Sequence, residues 1–150
     1  MKHELRIGGD VFARSGHTYI MGILNVTPDS FSDGGRYDSV NEALKHARQM
    51  VMEGADIIDI GGESTRPGHV PISDEEEIER IVPVIEAIKR HLDVPVSVDT
   101  YKPAVARAAI EAGADMVNDI WGLKKDPEMA KVIADTGVVC CLMHNRETAE

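Results

Sequence analysis

Five apolar stretches rich in β-branched residues alternate with segments of helical period, and this alternation constrains the fold more than any other feature of the sequence. The stretches are residues 19–26, 56–60, 94–98, 116–120 and 138–143. Strands that alternate with helices in this way are typical of βαβ units around a parallel sheet. Because the stretches are almost continuously apolar, we expect strands that are covered on both faces. The sequence therefore predicts an α/β fold.

Capping residues and prolines indicate where the helices lie. Two segments of helical period are each opened by a capping box, Ser39 with Glu42 and Ser73 with Glu76. Pro83 lies inside the second segment, where we expect a kink. First-turn prolines predict the starts of two further helices, at Pro103 and Pro127. Upstream of these elements, residues 5–15 predict a small hairpin outside the main sheet.

Polar residues stand at the carboxyl end of every predicted strand. They are Asn25, Glu63, Asp99, Asn118 with Asp119, and His144 with Asn145. Any one of them is explained by a turn, since Asn and Asp are common where strands end. All five ends together favour a site, because ligands bind at the carboxyl ends of parallel strands. The loops at residues 27–35 and 61–68 are rich in glycine and charge, which suits segments that close over a substrate.

Length and charge limit the kind of protein that this chain can be. A chain of 150 residues has the length of one domain, spanning residues 1–150. A complete eight-unit α/β barrel needs about 250 residues, so any such barrel in this chain would be partial. Its 16 Lys and Arg against 26 Asp and Glu give a net charge of −10, which disfavours nucleic-acid binding. Neither a membrane span nor the apolar stretch of a signal peptide is present, so we expect a cytoplasmic protein.

Other motifs add little. The sequence has neither a dinucleotide-binding G-x-G-x-x-G motif nor a P-loop. Cys140 and Cys141 are adjacent, so their side chains point to opposite faces of a strand and do not pair easily. We expect reduced thiols in the core rather than a zinc site with His144.

Four segments of the chain carry longer motifs. They are residues 22–35, residues 55–68 (ADIIDIGGESTRPG), residues 97–101 and residues 117–120. These motifs resemble dihydropteroate synthase, an enzyme family of folate biosynthesis, and the likeness extends from residue 21 to residue 144. The resemblance implies a (β/α)8 TIM barrel, of which this chain holds about the first five βα units and an N-terminal hairpin. It also implies that 6-hydroxymethyl-7,8-dihydropterin diphosphate and 4-aminobenzoate are condensed to 7,8-dihydropteroate and pyrophosphate.

The resemblance assigns a pterin site to the ends of four strands. Asp99 resembles the deep carboxylate that hydrogen-bonds the pterin ring and stabilises the cation formed when pyrophosphate leaves. Asn118 is similar to the second pterin contact of the family, and Ile120 and Met143 are similar to the residues that pack on the ring. Asn25 resembles the residue that helps to hold Mg²⁺ against the diphosphate.

The loops at residues 27–35 and 61–68 contain the remaining ligand-binding residues that the resemblance implies. Thr65 and Arg66 resemble the diphosphate contacts of the family, in which Arg supplies a planar fork of donors. Phe31 and Pro67 resemble walls of the aminobenzoate pocket, and Asp33 is similar to the residue that ties the two loops together.

The chain departs from the family in its length. The later strands of the family carry a further pterin-binding Asp, a Lys, and an Arg and His pair, and this sequence ends at Glu150 before them. We therefore expect a chain truncated after its fifth strand and inactive by itself. Its first and fifth strands are expected to be unpaired edges, so we also expect a homo-oligomer.

Two alternatives fit part of the pattern. A pterin-binding methyltransferase domain shares the barrel and the polar strand ends, but its reaction does not require the loops at residues 27–35 and 63–68. A flavodoxin-like or receiver-type binding module fits the length and the five strands without truncation. In such a module, ligand groups cluster at one switch point, so two or three polar strand ends are expected instead of five.

Overall fold

The computed structural model describes residues 4–13, 16–27, 36–64 and 67–145, which form two sheets and four helices. A two-stranded antiparallel sheet contains β1 (Glu4–Ile7) and β2 (Asp10–Ala13). A five-stranded parallel sheet contains β3 (Met21–Asn25), β4 (Ile57–Gly61), β5 (Val96–Asp99), β6 (Met116–Asp119) and β7 (Val139–Leu142). The helices are α1 (Arg36–Met52), α2 (Asp74–His91), α3 (Pro103–Glu111) and α4 (Glu128–Thr136). None of these four helices is long and apolar enough to cross a membrane.

The parallel strands lie side by side in chain order, β3-β4-β5-β6-β7, and each overlaps one of the predicted apolar stretches. A helix connects every strand to the next, as in consecutive βα units of a barrel. A flavodoxin-like module has the strand order 2-1-3-4-5. The observed order therefore shows that this alternative is wrong.

Alternate residues of the parallel strands point to opposite faces of the sheet. The face toward the helices is apolar and fully buried, and its largest members are Leu24, Ile58, Ile60, Val96, Val98 and Val117. The opposite face, which we call the inner face, begins with Met21, Ile57 and Met116. Nearer the carboxyl ends it carries Ile23, Asp59, Ser97, Asn25, Gly61, Asp99 and Asn118. The inner face thus changes from apolar to polar toward the carboxyl ends of the strands.

The predicted N-terminal hairpin is confirmed, and it covers the apolar end of the inner face. Ile7 and Phe12 are buried against Ile57 and Met116, which lie at the starts of two parallel strands. At the turn of the hairpin, Gly8 has a positive φ of 59°, and a Cβ atom on it would stand 2.8 Å from Asp115 Oδ1. The hairpin therefore closes the amino end of the sheet and leaves the polar end open.

Helix starts were predicted with mixed success. Ser73 caps α2, since its Oγ accepts a hydrogen bond from Glu76 N at 3.1 Å. The capping role of Ser39 is wrong, because α1 already begins at Arg36 and Ser39 lies inside the helix. Pro103 begins α3 as predicted, whereas Pro127 is the N-cap of α4. Helix α2 continues through Pro83, and a kink at that residue stays a prediction.

The expectation that the two cysteines lie in the core is wrong. Cys140 and Cys141 are free thiols, as predicted, but both are exposed instead of lying in the core. Their strand, β7, is an edge of the parallel sheet, so it has a neighbour on one side only. An apolar sequence alone does not distinguish an edge strand from a central one.

Candidate functional site

Asp99 ends β5 at the open end of the inner face, where Gly61 leaves space beside it. A Cβ atom placed on Gly61 would stand 3.6 Å from Asp99 Oδ2 and 3.8 Å from Asn25 Oδ1. The ends of β3 and β5 therefore bring an amide oxygen and a carboxylate close to one glycine. A side chain at position 61 would occupy the space next to both groups.

Asp59 is a second carboxylate on the inner face, and we did not predict it from the sequence. It is only 4% exposed, in the middle of the apolar strand β4. Asn118 donates from Nδ2 to Asp59 Oδ2 at 3.2 Å. Asp59 Oδ1 and the Oγ of its neighbour Ser97 are buried without a hydrogen-bond partner among the described residues. Such atoms are uncommon in folded proteins and indicate where water or a ligand binds.

We call the group formed by Asn25, Asp59, Ser97, Asp99 and Asn118 the acidic site. Burial, together with the negative charges of Asp59, Glu77 and Asp119, raises the pKa of Asp99 to about 7. Burial also raises the pKa of Asp59, although the Ser97 hydroxyl on β5 and the Asn118 amide on β6 offset part of the rise. A ligand that donates hydrogen bonds or carries positive charge would favour the ionised form of both groups.

Asp119 has a structural role, although it also ends a strand. Its Oδ1 accepts from Trp121 N at 2.9 Å, and its Oδ2 accepts from Leu123 N at 2.9 Å. Leu123 has a positive φ of 67°, which is unusual for a residue with a bulky side chain. The carboxylate of Asp119 therefore stabilises the tight loop after β6.

Ile120 and Met143 follow β6 and β7, and hydrogen bonds join these two strand ends. Asn145 Nδ2 donates to Ile120 O at 2.7 Å, and Met143 N donates to Asp119 O at 3.1 Å. Ile120 is half-buried, whereas Met143 is 52% exposed. Both residues lie at the same end of the sheet as Asp99, as predicted, but the described contacts do not join either side chain to it.

The remaining predicted ligand-binding residues belong to the loops at residues 27–35 and 61–68. Pro67 is exposed, at the start of a described range. Thr65, Arg66, Phe31 and Asp33 lie outside the described residues, so their roles stay predictions.

Glu63, predicted as a polar strand end, belongs to a second group beside the acidic site. Lys102 donates from Nζ to Glu63 Oε1 at 3.0 Å and to Ile72 O at 2.8 Å, and pairs with Glu77 Oε2 at 2.8 Å. The Tyr101 hydroxyl donates to Glu63 Oε2 at 2.6 Å. We call these five residues the lysine cluster. We did not predict this cluster from the sequence, because Tyr101 lies 38 positions from Glu63, and Lys102 lies 39 positions from Glu63 and 30 from Ile72.

The acidic site offers limited ligation to a metal ion. In the ranges that the structure describes, no group of three or more His, Cys, Asp or Glu side chains could hold one. Asn25, the predicted magnesium ligand, offers a neutral oxygen near Asp99. Mg²⁺ commonly takes one or two protein oxygens and completes its shell with water and substrate phosphates. Asn25 could supply one such oxygen, and magnesium binding stays a prediction.

One protein family and many solved structures are similar to this chain. The family model described as pterin binding enzyme matches residues 21–150. A dihydropteroate synthase of Clostridium beijerinckii is 60% identical over 146 residues, which are 97% of this chain and 54% of that protein.

Two structures of Xanthomonas albilineans dihydropteroate synthase show the likeness in three dimensions. The structure with 4-aminobenzoic acid has a TM-score of 0.89 at 44% identity, covering 99% of this chain and 55% of that one. The structure in complex with 7,8-dihydropteroate has a TM-score of 0.82 at 43% identity, covering 95% of this chain and 51% of that one. The chain thus spans about half the length of these relatives.

Proposed function

Because the chain belongs to the pterin-binding enzyme family, we propose that it carries the pterin-binding part of a dihydropteroate synthase. In the proposed reaction, the amine nitrogen of 4-aminobenzoate attacks the methylene carbon of 6-hydroxymethyl-7,8-dihydropterin diphosphate. The bond between that carbon and the diphosphate oxygen breaks, and the amine loses a proton. The products are 7,8-dihydropteroate, an intermediate of folate biosynthesis, and pyrophosphate.

The acidic site is the observation that supports this proposal most. A pterin ring carries several N–H donors, and it gains positive charge as the diphosphate leaves. Ionised Asp99 accepts from such donors and stabilises the developing charge, which is an electrostatic contribution to catalysis. Asn118 lies next to Asp99 on the neighbouring strand and is oriented by its hydrogen bond to Asp59, so it supplies a second pterin contact.

The raised pKa of Asp99 couples pterin binding to the loss of a proton. With a pKa of about 7, the carboxyl group is close to half protonated in the unliganded chain at neutral pH. A pterin that donates to the carboxylate favours its ionised form. Binding near neutral pH is therefore accompanied by loss of a proton from Asp99.

The diphosphate is proposed to bind next to the acidic site. Arg66 supplies a planar fork of donors and Thr65 supplies a hydroxyl. Mg²⁺, held in part by Asn25, provides positive charge that neutralises the diphosphate when both are bound. Local positive charge is needed because the chain as a whole has a net charge of −10.

The aminobenzoate is proposed to bind between the two rich loops. Phe31 and Pro67 form walls of its pocket, and Asp33 joins the loops over it. Ile120 and Met143 pack against the pterin ring at the ends of neighbouring strands. The likeness to a relative solved with 4-aminobenzoic acid supports this choice of substrate.

Calorimetry with 6-hydroxymethylpterin tests the pterin site. We expect weak binding by the wild-type chain and a loss of about 10- to 150-fold for Asp99→Ala, since a hydrogen bond to a charged group contributes about 1.5–3 kcal/mol. Asp135→Ala, which removes an exposed carboxylate of α4, is the matched control and should bind as the wild type does. Equal affinities for wild type and Asp99→Ala would contradict the assignment.

A comparison of two ligands tests the diphosphate contact. Substitution of Arg66 by Ala should weaken binding of the pterin diphosphate much more than binding of the pterin alone, because the guanidinium is proposed to contact the diphosphate. Equal losses for both ligands would show that Arg66 has a structural role instead.

We further propose that the chain self-associates and forms no dihydropteroate by itself. Strands β3 and β7 are sheet edges, and Ile23 on the inner face is 64% exposed. Such edges and apolar surfaces favour pairing between copies. Light scattering that shows a stable monomer would contradict the first part. Measurable formation of dihydropteroate by the purified chain would contradict the second.

A further inference from the structure

Three protein oxygens surround the Lys102 ammonium. It donates hydrogen bonds to Glu63 Oε1 at 3.0 Å and to the carbonyl oxygen of Ile72 at 2.8 Å, and it forms an ion pair with Glu77 Oε2 at 2.8 Å. Glu77 Oε2 makes no hydrogen bond of normal geometry among the described residues, so the two hydrogen bonds of the ammonium both go to Glu63 and Ile72. The side chains of Lys102, Glu63 and Glu77 are only 11%, 4% and 3% exposed, which leaves little access for water.

These contacts join the two ends of the segment from Glu63 to Ile72. Besides the two bonds from Lys102, Ile72 N donates to Glu63 Oε1 at 2.9 Å across nine residues. Just before the segment, Arg80 Nη1 donates to Gly62 O at 2.9 Å. The ends of the segment are therefore fixed to each other, to α2 through Arg80, and to the start of α3 through Lys102.

The charges of the cluster depend on one another. Burial opposes ionisation of Glu63, but the Tyr101 hydroxyl, the Ile72 N–H and Lys102 lower its pKa below the ordinary value. Burial also opposes the charge of Lys102, yet Glu77 and Glu63 raise its pKa above the ordinary value. An uncharged side chain at position 102 would leave Glu63 and Glu77 as two buried carboxyl groups without a cation between them.

We propose that Lys102 is a positioning residue whose ammonium fixes the two ends of this segment, Glu63 and Ile72, for diphosphate binding. This inference deepens the proposed function and rests on it, because that function assigns the diphosphate contacts to Thr65 and Arg66 within the segment. Lys102 acts through the two ends of the segment, since its two hydrogen bonds go to Glu63 and Ile72 and its remaining contact is the ion pair with Glu77.

A lysine that only stabilises the fold would behave differently, and Glu77 provides the matched control. Glu77 shares the same ammonium but lies in α2, outside the segment. Glu77→Gln removes a buried charge while leaving the bonds from Lys102 to Glu63 and Ile72 in place. Lys131→Met removes an exposed ammonium and controls for the loss of charge.

Amide hydrogen exchange tests the fixation of the segment without any ligand. We expect Lys102→Met to speed exchange of the Ile72 amide at least tenfold, and Glu77→Gln and Lys131→Met to change it less than threefold. Exchange of the α1 amides should stay within twofold of wild type, which separates local release from global unfolding. Unchanged exchange at Ile72 in a folded Lys102→Met variant would overturn the proposal.

Tyr101→Phe provides a second variant in case Lys102→Met does not fold. It removes only the hydroxyl bond to Glu63 Oε2. We expect it to speed exchange of the Ile72 amide at least threefold, because Glu63 then loses one of the groups that hold it. An Ile72 amide that exchanges at the wild-type rate in this variant would also count against the proposal.

Calorimetry with two ligands tests the functional consequence. Lys102→Met should weaken binding of 6-hydroxymethyl-7,8-dihydropterin diphosphate with Mg²⁺ at least tenfold, and binding of 6-hydroxymethylpterin less than twofold. Equal losses for both ligands would overturn a positioning role. If the wild-type chain binds neither ligand, the proposed function fails, whereas exchange at Ile72 still decides whether Lys102 fixes the segment.

Discussion

The acidic site and the lysine cluster are neighbours built from buried acids, yet their electrostatics are opposite. In the lysine cluster, Glu63 is paired with Lys102 and its pKa lies below the ordinary value. In the acidic site, the charges that act on Asp99 are all negative and its pKa rises to about 7. Glu63 therefore has a cationic partner within the protein, whereas Asp99 has none among the groups that shift its pKa and would gain one from a ligand. The difference shows how the same residue type serves structure in one place and recognition in the other.

The largest expected effect is the loss of stability when the lysine cluster is disrupted. Glu63→Gln removes one of the two carboxylates that pair with the Lys102 ammonium and leaves it with Glu77 alone. We expect a loss of about 3 kcal/mol in the free energy of unfolding, at the lower end of the cost of breaking a buried ion pair, because Glu77 remains. Urea denaturation at pH 8 measures this loss. A change below about 1 kcal/mol would mean that the pair contributes little to stability.

Replacing a carboxylate by an amide should have the opposite effect on stability in the acidic site. A carboxyl group with a raised pKa binds its proton more tightly in the folded chain, so its ionisation costs stability. For Asp99 this cost grows from its ordinary pKa of 3.8 to about pH 7 and is constant above that. Asp99→Asn is therefore expected to stabilise the chain at pH 8 by an amount on the order of 2 kcal/mol.

The pH dependence provides the check on Asp99→Asn. Urea denaturation of wild type and variant between pH 4 and pH 8.5 should show a difference that increases up to about pH 7 and then levels off. If Asp99→Asn is less stable than wild type at pH 8, the proposed difference between the acidic site and the lysine cluster is contradicted.

Removing a hydroxyl from the lysine cluster should have a smaller effect. Tyr101→Phe deletes the donor to Glu63 Oε2, while the bonds of Glu63 to Lys102 and to Ile72 N remain. We expect a loss of about 1 kcal/mol, typical of one hydrogen bond in a group that stays partly satisfied. Thermal unfolding followed by circular dichroism measures it, and an unchanged midpoint would count against the bond.

The smallest effect is expected for the corresponding deletion in the acidic site. Ser97 Oγ lies beside Asp59 and lowers its pKa, but among the described residues it makes no hydrogen bond of normal geometry, so Ser97→Ala removes at most a weak contact. Stability should stay within about 0.5 kcal/mol of wild type, since at most a weak bond is lost. A loss comparable to that of Tyr101→Phe would show that the hydroxyl is bound to a partner, such as water.

The fold could be predicted from the sequence because its signals are local. Strands and helices follow from the period of the apolar residues, and the cap at Ser73 follows from residues three apart. Two local sequence patterns gave wrong predictions. Ser39 has the right spacing to Glu42, but α1 begins upstream of it. The apolar stretch that contains Cys140 resembles a central strand, although only pairing in space shows that it is an edge.

The site could be predicted only in part, for a related reason. Asp99, Asn118 and Asn25 end their strands, so their common location follows from the parallel sheet. Asp59 had a signal that was not used, namely a charged residue within the run from Ile57 to Gly61. Lys102 had none, because its partners Glu63 and Ile72 lie 39 and 30 positions away and meet it only in the folded chain.

The N-terminal hairpin has a consequence for the order in which the chain folds. Ile7 and Phe12 are synthesised first, yet the surface that buries them includes Met116, which is translated last among the residues of that cluster's core. At about 5–20 residues per second, the hairpin is without its complete partner surface for several seconds on the ribosome. We therefore expect the hairpin to dock fully only after β6 has joined the sheet.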